Sequence, residues 1–127
     1  MSISDDWTYI RSVEYLINQW QFHILPVAAA TQITQLFWGG AFGLIFGVTP
    51  GVLRVSTIAI VLLSALALRD MFRDLKVSNQ RAALGTALYL FNPIMFAISY
   101  SFMSDPHFVA WMTLSAWLYL KAEMHDR

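Results

Sequence analysis

Three aspartates have the residue type and the setting for proton transfer. Asp5 and Asp6 are adjacent and precede an aromatic residue at the start of an amphipathic segment. Asp105 opens a later apolar segment, next to Pro106 and close to His107. Carboxylates in such positions can act as general bases or bind a metal ion. The structural alternative for all three is capping, since acids near a helix N-terminus favour the helix dipole and Asp followed by Pro is a common helix start.

Two basic side chains accompany these acids. Arg54 lies near the start of an apolar segment, where its guanidinium could bind a lipid phosphate. The alternative is that Arg54 only extends to the membrane interface. His107 and Asp105 are candidate ligands for a divalent metal ion, although two ligands do not define a site. The chain contains no cysteine, which excludes thiolate catalysis and zinc–thiolate sites.

The composition places these residues in a membrane protein. Of the 127 residues, 57% are hydrophobic and only 13% are charged, whereas about 25% are charged in an average soluble domain. Several long stretches carry no charge, and a spanning helix needs about 20 mostly apolar residues to cross the hydrocarbon core. The formal net charge is zero, so the chain offers no basic face for nucleic acid.

We expect an all-α fold with about three transmembrane helices and two helices that lie at the membrane surface. The predicted transmembrane helices are residues 51–71, 82–103 and 105–120. The predicted surface helices are residues 4–20, which are amphipathic with tryptophans near both ends, and residues 27–46, which are short and apolar.

Basic residues in the loop between the first two predicted spans set the topology. They are Arg69, Arg73, Lys76 and Arg81. The positive-inside rule places this loop in the cytoplasm, so Asp105 lies at the outer surface. If residues 27–46 cross the membrane, Asp5 and Asp6 are cytoplasmic; if they lie at the surface, all three acids share the outer face. The polar stretch from residue 31 to 35 favours the surface placement, because uncovered polar groups are costly in lipid.

The order of these features resembles the N-terminal part of membrane-embedded glycosyltransferases of the GT-C fold. The features are Asp5-Asp6-Trp7-Thr8-Tyr9, the short apolar helix ending at Gly47, Leu53-Arg54 opening a span, the basic hairpin, Phe91-Asn92-Pro93, and Ser101 to Asp105. The groups that the chain resembles are family 39, which includes protein O-mannosyltransferases and the aminoarabinose transferase of lipid A, and the bacterial RgtA/B/C/D-like enzymes.

The resemblance implies a sugar donor linked to polyprenyl phosphate and an active site on the extracytoplasmic face of a bacterial inner membrane. It implies that Asp5 is the catalytic carboxylate, that Asp6 is its acidic neighbour and that Asp105 is a second acid of the site. Arg54 matches a recurrent arginine at the start of a span, and we assign Arg54 and His107 to substrate binding. The resemblance also makes helix 27–46 juxtamembrane. The stretch 22–26 departs from the family pattern, which leaves a divalent metal cofactor and the acceptor class open.

GT-C enzymes have many more spans than the three predicted here, so we expect the chain to be a portion of a longer enzyme that is inactive by itself. The expected partners are membrane lipids and the polyprenyl-phosphate sugar, with a protein, lipid or polysaccharide acceptor. The alternative from another class is a small non-enzymatic membrane protein, a subunit or scaffold, in which the acids cap helices and the aromatic residues anchor them.

Overall fold

The computed structural model describes residues 6–21 and 33–125, with only the backbone described for Asp6. These ranges contain helices and no strand, which confirms the predicted all-α fold. The helices are α1 (Asp6–Gln19), α2 (Ile33–Phe46), α3 (Pro50–Asp74), α4 (Asn79–Leu90), α5 (Pro93–Ser99) and α6 (Ser104–His125). Asp5 and the first residues of both predicted surface helices, 4–5 and 27–32, lie outside the described ranges.

Helix α3 is the central element, and α2, α4, α5 and α6 all pack against it. Its start is defined by Thr49, whose Oγ1 accepts a hydrogen bond from the backbone N–H of Val52 at 3.2 Å, and by Pro50 in the first turn. Its 25 residues span about 37 Å at 1.5 Å per residue. Among the helices with described positions, α3 is the one that is long and apolar enough to cross a membrane as a single helix. Helix α6, which contains the predicted span 105–120, does not meet the same test.

The predicted span 82–103 is divided into two helices. Helices α4 and α5 are bent by 56° relative to each other, and together they pass the same test of length and apolarity as a broken span or re-entrant loop. The break lies at Asn92, whose Oδ1 accepts hydrogen bonds from the N–H groups of Ile94 at 3.0 Å and Met95 at 3.3 Å. Pro93 has no N–H to donate and takes the first helical position. The Asn92-Pro93 pair therefore starts a new helix and ends the previous one.

Helices α3 and α6 run in the same direction, because Leu53 and Phe102 share a cluster near their starts and Trp117 contacts Asp70 near their ends. Near their C-terminal ends, the Lys121 Nζ lies 2.8 Å from Asp70 Oδ2 and 2.7 Å from Asp74 Oδ2. The indole N–H of Trp117 donates to Asp70 Oδ2 at 3.0 Å. These contacts join the two helices beside the basic loop. We call this end the inner end and the end at which α3 and α6 begin the outer end, after their predicted sides of the membrane.

A buried apolar cluster, the outer cluster, joins α1 and α2 to the beginnings of α3 and α6. Its members are Tyr9, Ile10, Val13, Leu36, Leu53 and Phe102. Phe102, in the turn before α6, and Leu53, in the first turn of α3, are both completely buried. The buried stripe of α1 matches the amphipathic pattern, while Trp7 and Trp20 at its ends are exposed.

Two glycines of α2 allow this close packing, and their four-residue spacing is typical of helices that approach closely in membranes. A Cβ atom on Gly39 would lie 2.6 Å from Phe102 Cζ and 3.2 Å from Leu53 Cδ2. A Cβ atom on Gly43 would lie 2.6 Å from Ile17 Cδ1. A larger residue at either position would need space that neighbouring side chains already fill.

We expect Gly39→Ala to lower the free energy of unfolding by about 1–3 kcal/mol, because the buried Phe102 ring has no room to move away. The matched control is Gly51→Ala, since a Cβ atom there meets only Thr49 Oγ1, at 3.9 Å. Unfolding of both variants in detergent by titration with SDS measures the difference. Equal stability of the two variants would contradict the close approach of α2 to Phe102.

Candidate active site

The predicted site residues with described positions lie at the outer end of the helices. Arg54 directly follows Leu53 and Asp105 comes three residues after Phe102, and both of these apolar residues belong to the outer cluster. Helix α1 begins at Asp6, one turn before the first residue that it contributes to the same cluster. The cluster therefore links the middle of α1, which packs against α2, to the beginnings of α3 and α6. The predicted catalytic residue Asp5 precedes the first described residue.

Asp105 is the second residue of α6 and its side chain is exposed. An acidic side chain in the first turn of a helix is a common arrangement. Pro106, next to it, is buried and fixes the backbone at the helix start. Asp105 is therefore held on a rigid element with its side chain accessible at the outer end, as a residue that contacts a substrate must be.

Arg54 lies in the second turn of α3, and its side chain is half-buried. The guanidinium is permanently charged and suited to binding phosphate oxygens in pairs. The partial positive charge at the N-terminus of α3 adds to it. The sequence thus places a cationic side chain near the outer end of α3.

His107 lies inside the protein, with 1% of its surface exposed. Its Nδ1 is 3.0 Å from the backbone carbonyl oxygen of Met103, so this nitrogen must carry the proton and donate it. The imidazole also packs edge-on against the ring of Phe102, with centroids 5.3 Å apart. His107 therefore contacts the turn before α6, while its neighbour Asp105 faces outward.

The candidate metal ligands Asp105 and His107 do not form a ligand set by themselves. The described part of the chain contains no group of three or more histidine, cysteine, aspartate or glutamate side chains that could hold a metal ion. One of the two candidates is exposed and the other is buried.

Gln35 is a component of this region that sequence reasoning did not assign. Its side chain is 2% exposed, and its Nε2 donates a hydrogen bond to the carbonyl oxygen of Phe102 at 3.1 Å. The nearby Trp38 donates its indole N–H to the carbonyl oxygen of Ser56 at 2.9 Å. Protein thus covers the polar side chain at the end of the 31–35 stretch and provides a partner for its amide N–H. The signal in the sequence was a glutamine in an otherwise apolar helix.

Comparison with known proteins connects this region to one family. A family model described as dolichyl-phosphate-mannose-protein mannosyltransferase matches residues 22–127. The matched range includes α2 to α6, with Arg54, Asp105 and His107, and begins after Asp5 and Asp6. No curated protein and no solved structure matches the chain.

Proposed function

Because the chain belongs to the dolichyl-phosphate-mannose-protein mannosyltransferase family, we propose that its outer end forms part of a GT-C active site on the extracytoplasmic face. The family is one of membrane glycosyltransferases that use polyprenyl-phosphate sugar donors. The all-helical arrangement is consistent with a partial GT-C fold. In the proposed reaction, a sugar moves from polyprenyl phosphate to an acceptor hydroxyl.

The observation that carries the proposal is the outer cluster. It joins Leu53 of α3 and Phe102 before α6 with Tyr9, Ile10 and Val13 of α1. The cluster supports a shared site because Arg54 directly follows Leu53 and Asp105 comes three residues after Phe102. The basic loop and the ion pairs of Lys121 lie at the other end of α3 and α6.

The packing of α2 supports the extracytoplasmic placement of α1. The described part of α2 has 14 residues. It packs against the beginning of α3, where Trp38 reaches the carbonyl oxygen of Ser56. A juxtamembrane α2 leaves α1 on the side of the membrane where α3 begins.

The proposed reaction uses a cationic side chain for the phosphate and carboxylates for the acceptor. The acceptor oxygen forms a bond to the anomeric carbon of the sugar, and the bond from that carbon to the phosphate oxygen breaks. The electron pair leaves with the phosphate, whose charge Arg54 and the N-terminus of α3 stabilise. The acceptor proton passes to a carboxylate, for which Asp5 is the proposed base. Asp105 is the proposed second acid that orients the acceptor.

The direct test is transfer in proteoliposomes with labelled polyprenyl-phosphate mannose as donor and a mixture of membrane proteins as acceptor. The protein is expressed from its full coding frame, with the 127-residue chain in parallel. We expect label to move to the acceptor and unlabelled polyprenyl phosphate to accumulate in equal amount. Absence of transfer from every polyprenyl-phosphate sugar tried, with correctly inserted protein, would favour a non-enzymatic membrane subunit.

A further inference from the structure

The turn before α6 is held by side chains from two different helices. Gln35 of α2 donates to the carbonyl oxygen of Phe102 at 3.1 Å, and His107 of α6 donates from Nδ1 to the carbonyl oxygen of Met103 at 3.0 Å. The two acceptors are consecutive carbonyls of the chain. Phe102 itself is completely buried between Leu53 and the backbone of α2 at Gly39.

Burying these two polar side chains carries a free-energy cost that packing alone does not explain. Gln35 is 2% and His107 1% exposed, and Gln35 Oε1 and His107 Nε2 are buried without a hydrogen-bond partner among the described residues. A buried polar atom without a partner costs about 1–3 kcal/mol. Apolar side chains of the same volume would fill this space without that cost. The hydrogen bonds donated by Gln35 Nε2 and His107 Nδ1 must therefore contribute something that packing does not supply.

We propose that Gln35 and His107 are positioning residues that fix the location of Asp105. The turn they hold, residues 100–103, ends two residues before Asp105. The hydrogen bond from Gln35 also joins segments that are 67 residues apart in the sequence. It therefore fixes the position of the start of α6 along the axis of α2. The effect on transfer rests on the proposed role of Asp105, whereas the structural effect does not.

A spin label at position 105 tests the positioning directly. The chain has no cysteine, so Asp105→Cys provides a single attachment point for a nitroxide on an exposed residue. We expect Gln35→Met and His107→Phe to increase the mobility of the nitroxide in the folded, membrane-inserted protein. The control is Gln80→Met, at an exposed position beside the basic loop, which should leave the spectrum unchanged. Unchanged mobility in both Gln35→Met and His107→Phe would overturn the inference.

Amide replacements of His107 keep the test decisive where the larger changes disturb folding. An Asn side chain can place its amide N–H where Nδ1–H is, whereas Gln places its amide near Nε2. His107→Asn should therefore retain the spectrum of the unsubstituted turn, and His107→Gln should not. Equal behaviour of these two variants would show that the donor to Met103 is not what holds the turn.

Transfer kinetics with Asp105 intact give the second readout. A displaced catalytic group lowers kcat by up to about 10²-fold without weakening ground-state binding, so we expect a lower kcat with the KM for the donor within about twofold. His107→Asn should restore most of the rate. If Asp105→Asn leaves transfer normal, the proposed role of Asp105 fails while the nitroxide result stands. If Asp105→Asn abolishes transfer but no nitroxide spectrum changes, the positioning inference alone fails.

Discussion

Asp105→Asn is expected to abolish sugar transfer in protein expressed from the full coding frame, with a loss of about 10²–10⁴-fold in kcat. Asn has nearly the size and shape of Asp, so the substitution removes the negative charge with little change in volume at the start of α6. Asp105 is also exposed, so the substitution should change the packing of the protein very little. Initial rates at saturating donor, normalised to inserted protein, measure the effect.

The control is Glu123→Gln, which removes an acid from the other end of the same helix. We expect that variant to retain the rate of the unsubstituted protein, because it lies beside the basic loop and far from the outer end. A near-normal rate for Asp105→Asn would leave Asp105 with only a structural role in the first turn of α6. It would also leave the outer end with no described carboxylate that takes part in the reaction.

Arg54→Leu is expected to lower kcat/KM for the polyprenyl-phosphate sugar by about 10²-fold, the usual effect of removing one group that stabilises developing negative charge. The leaving phosphate gains charge as the bond to the sugar breaks, so a lost guanidinium should reduce kcat as well as donor affinity. Arg54→Lys keeps the charge without the planar pair of donors, and we expect it to recover only part of the loss.

Arg69→Leu provides the matched comparison, because Arg69 is an exposed arginine near the other end of α3. It should leave kcat/KM for the donor unchanged. Equal losses in the Arg54 and Arg69 variants would indicate a general effect on insertion, and an unchanged kcat/KM in Arg54→Leu would remove this residue from donor binding.

The helices of this chain were predictable because their signals are local. Long charge-free stretches separated by short polar segments indicate membrane helices regardless of how they pack. The spacing of apolar residues by three and four positions in α1 likewise predicted the buried face that includes Ile10 and Val13. Helix starts at Pro50 and Ser104 followed from proline and capping patterns, and lie within one residue of the predicted positions.

The contacts between distant segments could not be predicted in the same way. The bond between Gln35 and Phe102 depends on the distance between α2 and the turn before α6, which no local pattern specifies. The same holds for His107, since the direction in which a histidine points from a helix start follows from the packing of its neighbours. The bend at Asn92 has a local cause, but its angle of 56° reflects how α4 and α5 fit around α3.

The placement of α1 is the step on which the shared acidic site depends. It rests on an α2 that does not cross the membrane and on the outer cluster that joins α1 to the starts of α3 and α6. Asp5 and Asp6 reach the same face as Asp105 only under this arrangement. If α2 crossed the membrane instead, the proposed base and the second acid would be separated by the bilayer.

Labelling of single cysteines in intact cells by a membrane-impermeant maleimide tests this arrangement most directly. The three variants are Asp6→Cys, Asp105→Cys and Ser78→Cys, the last in the exposed loop between α3 and α4. We predict that the variants at positions 6 and 105 are labelled in intact cells and that the variant at position 78 is labelled only after permeabilisation. Labelling at position 105 together with protection at position 6 would contradict a shared outer site.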